Sequence, residues 1–370
     1  MKVALVHDWL LSYRGGEKVL EKICELFPEA PIYTLFYSPK ELPSSLNSRD
    51  IRYPKALQKF QKFRKLLLPL FPALVESLPL YEFDLIISTS SCVAKGIIPS
   101  PEAKHISYIH SPMRYIWDQQ QEYFQNIKNF PGIKSIIKML STHLRTWDYV
   151  SSQRIDVIIA NSNFVAKRIH RYYGKDSHII HPPINTEFFQ AIAKQKNIDN
   201  DYFLMAGAFV SYKRFDLAIN ACEKMQKKLI VAGSGPLEQN LRKIAGKYTE
   251  FIIRPDDKEL RSLLQNAQAL IFPGVEDFGM TALEAMACAT PVIALQKGGS
   301  LDFIKPHKTG IFFQEQNVNS LCESLKIFER TKFDPQELRN FALRFSYEEF
   351  HQNFLKVLKP YLAKEINSES

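Results

Sequence analysis

Short, almost continuously apolar runs recur along the chain and constrain its fold more than any other feature. The first series is KVALVHD, APIYTLFY, FDLIISTS, KHISYIH, DVIIANS and HIIHPP, and the second is YFLMAGA, KLIVAGSG, EFIIRPD, QALIFPG, PVIAL and GIFF. Amphipathic stretches such as GEKVLEKICELF and DLAINACEKMQ separate them. Buried runs that alternate with helical periodicity are typical of parallel strands covered by helices on both faces. We therefore predict an α/β chain with two doubly wound, Rossmann-like domains.

The two series meet near HPPINTEFFQAIAKQKNIDND, and 370 residues exceed what a single core usually supports. We place a first domain at residues 1–190 and a second at 191–345, followed by a helix over 346–370 that crosses back to the first domain. Doubly wound sheets bind ligands at the carboxyl ends of their strands, and two facing sheets form a cleft. The functional residues are therefore expected in the loops that follow strands.

Composition excludes several classes of protein. Hydrophobic residues make up 45% of the chain, which excludes a disordered protein, and the start MKVALVHD is typical of a buried strand rather than a secretory signal. The apolar run LLLPLFPALV is too short to cross a membrane and contains two prolines. The five cysteines include no CxxC pair, which favours a reducing cytoplasm over a disulfide framework or a zinc site.

The chain is basic, with a formal net charge of +9. Residues 1–190 hold 24 Lys and Arg against 17 Asp and Glu, so the excess lies mainly in the first half. Such an excess favours an anionic partner, either nucleic acid or a membrane surface, although solubility alone explains it equally well.

Three strand-end loops contain residue types that bind anions. Gly15 and Gly16 precede a helix, where backbone N–H groups and the helix dipole attract negative charge. Lys213 and Arg214 follow the first strand of the second series, and VAGSGP repeats the strand-then-glycine pattern. A plain turn or a solvated charge pair accounts for each of these taken singly. A dinucleotide fingerprint is not supported, because Gln239 stands near the position of its third glycine.

The segment FPGVEDFGMTALEAMACATPVIA, residues 272–294, contains two glutamates, Glu276 and Glu284. A uniform helix would put both on one face about 12 Å apart. The strand QALIFPG ends at Gly274, however, and a helix beginning near Gly279 puts Glu276 in the preceding loop and Glu284 on the second helical turn. Carboxylates accept hydrogen bonds from sugar hydroxyls, and N–H groups with a lysine bind phosphate. The segment therefore indicates a nucleotide-sugar site, although close helix packing also explains its alanines.

EDFGMTALEAMACATPVIA resembles the EX7E signature of retaining GT-B glycosyltransferases of family 4. The segments YIHSPMRYIWD, DVIIANSNFVAKRI, IIHPPINTEFF and VSYKRFDLAI resemble the branch that includes bacterial O-antigen and exopolysaccharide mannosyltransferases. The resemblance runs in consistent order from VALVHDWLLSYRGGEKVL to about residue 345.

The resemblance implies a role for each matching position. Glu284 matches the glutamate on the ribose hydroxyls, and Glu276 matches the one near the donor sugar. Lys213 matches the lysine on the diphosphate, and His110 matches the histidine that reaches the donor sugar from the first domain. The remaining donor-binding positions are the closing loop at Gly15 and Gly16 and the segment of Phe278, Gly279, Met280 and Thr281.

The chain departs from the family pattern at two positions. Many members have an arginine where Ala208 stands, so Arg214 or Arg114 is a candidate for the missing positive charge, and Arg114 is also a candidate acceptor-binding residue. Ala289 stands where glycine is usual, at the end of a helix, and we expect this change to matter less.

The implied function is retaining transfer of a hexose, mannose from GDP-mannose, to a glycan or lipid-linked acceptor in cell-surface polysaccharide synthesis. The leaving phosphate would take the acceptor's proton during same-face attack, with no cofactor or metal. One alternative is a GT-B enzyme that uses a UDP-sugar for hexosyl or N-acetylhexosaminyl transfer or for epimerisation. The other is a non-enzymatic basic protein that binds nucleic acid or membrane. Nucleic acid is disfavoured because paired carboxylates would repel phosphate and no binding motif is present.

A basic segment at residues 52–67 remains outside this assignment. It places lysines and arginines among leucines and phenylalanines without an acidic residue; they are Lys55, Lys59, Lys62, Arg64, Lys65, Leu57, Phe60, Phe63 and Leu67. Such a segment is typical of contact with an anionic membrane, here the inner face of the cytoplasmic membrane. An amphipathic helix that packs on its own domain is the alternative.

Overall fold

The computed structural model describes residues 1–64, 66–118, 131–192 and 201–362, and within 131–137 it describes the backbone alone. Lys65 and most of the polar stretch between the two strand series lie outside the described residues. The chain divides into two compact units. The first comprises Met1–His181 with the segment from His351 onward, and the second comprises Pro182–Phe350.

The first unit contains a seven-stranded sheet in the order β3-β2-β1-β4-β5-β6-β7. Every strand pairing in it is parallel. The strands are β1 (Val3–His7), β2 (Ile32–Thr34), β3 (Ile51–Arg52), β4 (Leu85–Ser90), β5 (Lys104–Ile109), β6 (Val157–Ala160) and β7 (His178–Ile179). Because β1 continues to β2 on one side and lies beside β4 on the other, the direction of winding reverses between β1 and β4.

Helices connect these strands. They are α1 (Gly15–Leu26), α2 (Ser44–Asn47), α3 (Phe71–Glu76), α4 (Arg114–Trp117), α5 (Pro131–Ser152) and α6 (Asn163–Tyr173). In the described part of this unit, 3₁₀ helices also form at Pro39–Glu41, Lys55–Phe63, Leu68–Leu70 and Ala94–Gly96. Within the basic segment, Lys55–Phe63 therefore forms a 3₁₀ helix rather than an α-helix. Leu57 and Leu67 of the segment, and the following Leu68, pack against the core of this unit.

The second unit contains a six-stranded sheet in the order β10-β9-β8-β11-β12-β13, again with parallel pairing throughout. Its strands are β8 (Phe203–Ala208), β9 (Leu229–Ser234), β10 (Thr249–Ile253), β11 (Leu270–Phe272), β12 (Val292–Leu295) and β13 (Gly310–Phe313). Its helices are α7 (Phe215–Met225), α8 (Glu238–Ile244), α9 (Asp257–Asn266), α10 (Met280–Ala287), α11 (Ser300–Phe303), α12 (Val318–Glu329) and α13 (Pro335–Leu343), with a 3₁₀ turn at Ser211–Lys213.

Alternate residues of β8 enter two separate cores. Leu204 packs with Ala232 and Leu270 on one face of the sheet, and Phe203 and Met205 pack with the buried cluster on the other. Strand side chains alternate between faces, so a continuously apolar strand is covered on both. The prediction of two doubly wound parallel-sheet units is confirmed, whereas the facing of the two sheets across a cleft stays a prediction.

The last described helix, α14 (Tyr347–Leu362), leads into the segment that belongs to the first unit. His351 Nε2 lies 2.8 Å from the carbonyl oxygen of Lys22 on α1. The same nitrogen lies 3.5 Å from Glu25. Among the described residues, no helix has the length and apolar character needed to cross a membrane.

Ala289 closes α10 in a left-handed backbone conformation, with φ of 59°. The N–H of Thr290 donates to the carbonyl of Ala285, and the N–H of Ala289 donates to the carbonyl of Met286, both at 2.9 Å. This pair of hydrogen bonds is the Schellman motif, in which glycine is preferred because a Cβ is strained at positive φ. The alanine therefore stores strain at a position where we expected little effect.

We predict that Ala289→Gly stabilises the protein by about 1 kcal/mol, since glycine removes the left-handed strain and keeps both hydrogen bonds. Urea unfolding of the full chain measures the change as a higher midpoint. Ala287→Gly, in the last turn of the same helix, is the matched control and should lower the midpoint. A lower midpoint for Ala289→Gly as well would contradict this account of the strain.

Candidate functional site

The winding of the second sheet reverses between β8 and β11, and the loops after these two strands carry the principal charged residues of the site. Lys213 lies on the 3₁₀ turn after β8, and Glu276 lies in the loop after β11. Lys213 Nζ donates to Glu276 Oε1 at 2.7 Å. Both side chains are largely buried, with exposures of 13% and 17%. Ligands of doubly wound sheets bind at this reversal, outside the carboxyl ends of the strands.

Two glycines set the position of Lys213. A Cβ on Gly207 would lie 3.2 Å from Lys213 Nζ, so the absence of a side chain there leaves room for the ammonium group. A Cβ on Gly274 would lie 2.6 Å from the carbonyl oxygen of Tyr212 and 2.8 Å from Lys213 Cα. The loop after β11 therefore lies directly against the turn that carries the lysine, which brings Glu276 within hydrogen-bonding distance.

Gly298 and Gly299, which follow β12, support the glutamate loop and were missed by the sequence analysis. The N–H of Gly299 donates to the carbonyl of Glu276 at 2.8 Å. A Cβ on Gly299 would lie 2.4 Å from Phe278 Cα, and one on Gly298 would lie 2.7 Å from the Glu276 carbonyl oxygen. The strand-then-glycine pattern in PVIALQKGGS was the signal for them.

Helix α10 begins immediately after this loop, which confirms the predicted start near Gly279. Gly279 caps the helix with φ of 128°, and a Cβ there would lie 2.7 Å from the ring of Phe272. Met280 and Thr281 form the start of the first turn, where backbone N–H groups have no partner within the helix. Glu284 is buried on the second turn. The Glu276 carboxylate, the N-terminus of α10 and the Glu284 carboxylate therefore follow one another along the chain.

Arg214 occupies a different environment from Lys213. Its guanidinium forms an ion pair with Asp216, with Nε and Nη2 at 3.0 and 2.8 Å from the two carboxylate oxygens. Its backbone is left-handed, with φ of 57°. The nearby Gly233 and Gly235 allow close packing of strand ends, since a Cβ on Gly233 would lie 1.9 Å from the Gly207 carbonyl oxygen. Whether Arg214 compensates for Ala208 therefore stays a prediction.

In the first unit, the predicted residues Gly15, Gly16 and His110 lie near the reversal between β1 and β4. Gly15 and Gly16 begin α1, and His110 directly follows β5. A Cβ on Gly16 would lie 3.6 Å from His110 Nε2 and 3.7 Å from His7 Cε1. The glycine backbone therefore lies against two imidazole rings, of which His7 was not predicted.

His7 connects the end of β1 to the start of α1. His7 Nδ1 lies 2.6 Å from Thr89 Oγ1, and Nε2 lies 3.9 Å from the Glu17 carboxylate. Glu17 also accepts the backbone N–H of Arg14 at 3.0 Å. Burial alone would raise the pKa of Glu17, but the hydrogen bond and charge of His7 and the N–H of Arg14 outweigh it and lower the pKa. Glu17 is therefore an ionised cap at the beginning of the glycine-led helix.

Asp8 is another residue that the sequence analysis missed. It is buried at the end of β1 and accepts the backbone N–H groups of Ser91 and Cys92 on Oδ2 at 2.6 and 2.9 Å. Its other oxygen accepts those of Val93 and Ala94 at 2.8 and 2.7 Å. One carboxylate therefore fixes the loop after β4. The loop begins directly after Ser90, the last residue of β4, whose carbonyl accepts the backbone N–H of His110 at 2.8 Å.

Arg114 lies at the start of α4, and its Nε is 3.4 Å from Ser111 Oγ, next to His110. The other end of this short helix is fixed by Trp117, whose Nε1 donates to Asp148 at 2.7 Å. Asp148 is fully buried and forms an ion pair with the buried Lys95. Arg114 is therefore carried by a helix that is tied to the core.

Two family models match consecutive parts of the chain. "Glycosyltransferase Family 4" matches residues 13–188, and "Glycosyl transferases group 1" matches residues 188–344. The chain belongs to the family 4 glycosyltransferases. The expectation from the two-glutamate segment and its flanks is confirmed at this level.

Three curated relatives are 25–26% identical to this glycosyltransferase over the aligned residues. An uncharacterised glycosyltransferase of Methanocaldococcus jannaschii is 26% identical over 72% of this chain and 78% of its own length. O-antigen chain mannosyltransferase C of Escherichia coli is 25% identical over 46% of this chain and half of its own length. The human alpha-1,3/1,6-mannosyltransferase ALG2 is 25% identical over 67% of this chain and 65% of its own length.

Solved structures with low sequence identity share the fold of this glycosyltransferase. Sucrose-phosphate synthase from Thermosynechococcus elongatus has a TM-score of 0.72 at 16% identity, over 98% of this chain and 100% of that chain. HepE from Anabaena, in complex with UDP, has a TM-score of 0.67 at 14% identity, over 97% and 100%. The predicted GT-B fold class is confirmed.

We predict that Asp8→Asn destabilises the glycosyltransferase by about 3 kcal/mol, because the amide can no longer accept all four backbone N–H groups with a full charge. Urea unfolding of the full chain measures the loss. Asp84→Asn is the matched control, since the exposed Asp84 carboxylate accepts the backbone N–H of Lys2 at 2.6 Å. If Asp8→Asn lowered the free energy of unfolding no more than Asp84→Asn does, Asp8 would not fix the loop after β4.

Proposed function

We propose that the chain is a retaining hexosyltransferase that moves mannose from GDP-mannose to a glycan or lipid-linked acceptor in cell-surface polysaccharide synthesis. It would act in the cytoplasm, at the inner face of the cytoplasmic membrane. The observation that carries the proposal is the 2.7 Å pair of Lys213 and Glu276 at the winding reversal of the second sheet, directly before the N-terminus of α10.

The donor would extend along this edge of the sheet. When the donor binds, the Lys213 ammonium leaves Glu276 and pairs with the diphosphate. The diphosphate also accepts hydrogen bonds from backbone N–H groups in the first turn of α10, near Gly279, Met280 and Thr281. Glu276 then accepts hydrogen bonds from sugar hydroxyls, and Glu284 accepts those of the ribose. The backbone of Phe278 forms part of the same surface.

The choice of mannose and of an acceptor in polysaccharide synthesis rests on relatives. O-antigen chain mannosyltransferase C of Escherichia coli and the human alpha-1,3/1,6-mannosyltransferase both match this chain at 25% identity. Their names support a mannosyl donor, and the bacterial relative supports a cell-surface glycan as the product.

The proposed mechanism is same-face attack through an ion pair. As the bond between the sugar and the diphosphate breaks, Lys213 and the helix N–H groups stabilise the negative charge on the leaving group. The acceptor hydroxyl forms the new bond on the same face, and the leaving phosphate takes its proton. Glu276 positions the sugar and stabilises positive charge. Because Lys213 and the helix N–H groups neutralise the leaving diphosphate, we propose that no metal or other cofactor takes part. By resemblance, Gly15, Gly16 and His110 complete the donor site, and Arg114 contacts the acceptor.

A donor panel tests the proposal. We expect GDP-mannose to raise the unfolding temperature more than UDP-glucose, UDP-N-acetylglucosamine or ADP-glucose do, because ligands that bind only the folded state stabilise it. Turnover with GDP-mannose and an acceptor extract should yield an α-linked product by proton NMR, unaffected by EDTA.

Other outcomes distinguish the alternatives. If only a UDP-sugar raised the unfolding temperature, the donor would be a UDP-sugar and not GDP-mannose. Release of an epimerised sugar in the absence of an acceptor would identify the enzyme as an epimerase. A β-linked product would refute retention. Salt-sensitive retention on nucleic acid with no response to any donor would refute the transferase. Glu284→Gln is the site control and should reduce stabilisation by every nucleotide that binds here.

We predict that Glu276→Gln abolishes transfer but binds GDP about fivefold more tightly, because Lys213 no longer has to leave a carboxylate to reach the diphosphate. Isothermal titration calorimetry with GDP measures the change. Lys213→Met should weaken GDP binding in the same experiment. Weaker GDP binding by Glu276→Gln would contradict competition between Glu276 and the diphosphate for Lys213.

Asp216→Asn is the matched control, since Asp216 pairs with Arg214 as Glu276 pairs with Lys213. If Lys213 is the diphosphate ligand, Asp216→Asn leaves the GDP affinity unchanged. A similar tightening by Asp216→Asn would instead assign the diphosphate to Arg214.

A further inference from the structure

Large apolar side chains are exposed together in the segment that joins β3 to α3. Phe60, Phe63, Leu66 and Leu70 are 51%, 61%, 77% and 56% exposed, within eleven consecutive residues. Such side chains are ordinary on a protein surface when they occur singly, but a contiguous group marks an interaction site.

The segment is held firmly to its own unit by its other side. Leu57, Leu67 and Leu68 pack against the core. Gln58 forms two hydrogen bonds with the chain after β2, accepting the N–H of Tyr37 at 3.1 Å and donating to the carbonyl of Leu35 at 3.2 Å. These contacts fix the backbone that carries the exposed residues. One side of the segment therefore packs on its own domain, as one of the two interpretations predicted, while the other side faces outward.

Exposed lysines and exposed phenylalanines are neighbours along the 3₁₀ helix Lys55–Phe63. Hydrogen bonds between residues three apart continue beyond the helix, with the N–H of Leu66 donating to Phe63 at 2.8 Å and that of Leu70 donating to Leu67 at 2.8 Å. Lys59 directly precedes Phe60 and Lys62 directly precedes Phe63, and all four side chains are exposed. Charged and apolar side chains therefore alternate in adjacent pairs on the outward side of this helix.

The charge of this surface identifies its partner. Among the described residues of the segment, the exposed lysines are Lys55, Lys59 and Lys62, and residues 53–75 contain no acidic residue. Lysines attract anionic headgroups while their methylene stems lie along apolar surface. A second copy of the chain would bring like charges together in a self-complementary contact, which disfavours it as the occupant. Nucleic acid is a poorer fit, because bases stack on aromatic faces and the two exposed leucines beside the lysines offer none.

We propose that Lys55, Lys59, Phe60, Lys62, Phe63, Leu66 and Leu70 form a docking surface for an anionic lipid bilayer. Phe60, Phe63 and Leu66 enter the boundary between headgroups and acyl chains, and the lysines bind lipid phosphates. The surface belongs to the first unit and is independent of the donor chemistry. Its test therefore does not depend on the outcome of the donor panel.

Cosedimentation of the full chain with vesicles tests this surface. We expect binding to vesicles of phosphatidylcholine with 30% phosphatidylglycerol, binding at least about tenfold weaker to phosphatidylcholine alone, and loss of binding as salt screens the charges. Phe60→Ser with Phe63→Ser and Leu66→Ser should weaken binding at least about tenfold, and Lys59→Glu with Lys62→Glu should do the same.

Matched controls use equivalent residues elsewhere. Leu301→Ser with Ile327→Ser and Leu343→Ser changes three apolar side chains that are 47%, 46% and 40% exposed, and Lys258→Glu with Lys332→Glu changes two exposed lysines. Both controls should bind vesicles as the unchanged chain does. Because every substituted side chain is exposed, circular dichroism and unfolding temperature should stay unchanged in all variants.

Three results would overturn the proposal. The first is vesicle binding by the apolar and lysine variants equal to that of the unchanged chain. The second is a dimer in light scattering that the apolar triple variant dissociates, which would make the surface a contact between copies. The third is binding of a random oligonucleotide that the same variants abolish while vesicle binding persists.

Discussion

Parallel pairing of every strand is the constraint on which the rest of the structure depends. It sends all strand ends of a sheet to one edge, and the reversal of winding leaves a gap there between two neighbouring strands. In the second unit these neighbours are β8 and β11, which precede Lys213 and Glu276. Two residues that are 63 positions apart in the chain can therefore form a 2.7 Å ion pair.

Close approach of loops at this edge explains where glycine is required. Gly207 leaves room for the Lys213 side chain, Gly274 for the turn that carries it, and Gly299 for the loop of Glu276. In each case a Cβ would lie within 3.2 Å of another residue. The glycines of this unit therefore act first by allowing packing between loops, and the binding surface is a consequence of that packing.

The fold, the strand ends and the start of α10 could be predicted from sequence because each depends on local periodicity or on a residue with restricted backbone preference. The partners of Asp8 could not, since they are backbone N–H groups more than eighty residues away and carry no sequence signal. The 3₁₀ form of Lys55–Phe63 was also not predicted, because an amphipathic pattern identifies two faces but does not separate helical types over so few turns. Ala289 was judged minor because sequence alone does not reveal its positive φ.

The ion pairs of the second unit affect how the site would distinguish an intact nucleotide-sugar from the nucleoside diphosphate that remains after transfer. Lys213 is neutralised by Glu276 and Arg214 by Asp216, while Ala208 adds no charge at the position where, by the resemblance, many family members have arginine. A diphosphate that takes Lys213 leaves Glu276 without its cation beside an anionic ligand, which is unfavourable in a largely buried site. Under the proposed function, hydroxyls of the donor sugar compensate by donating hydrogen bonds to Glu276. The free nucleoside diphosphate has no sugar at that place, so the same ion pair favours the intact donor and promotes release of the product.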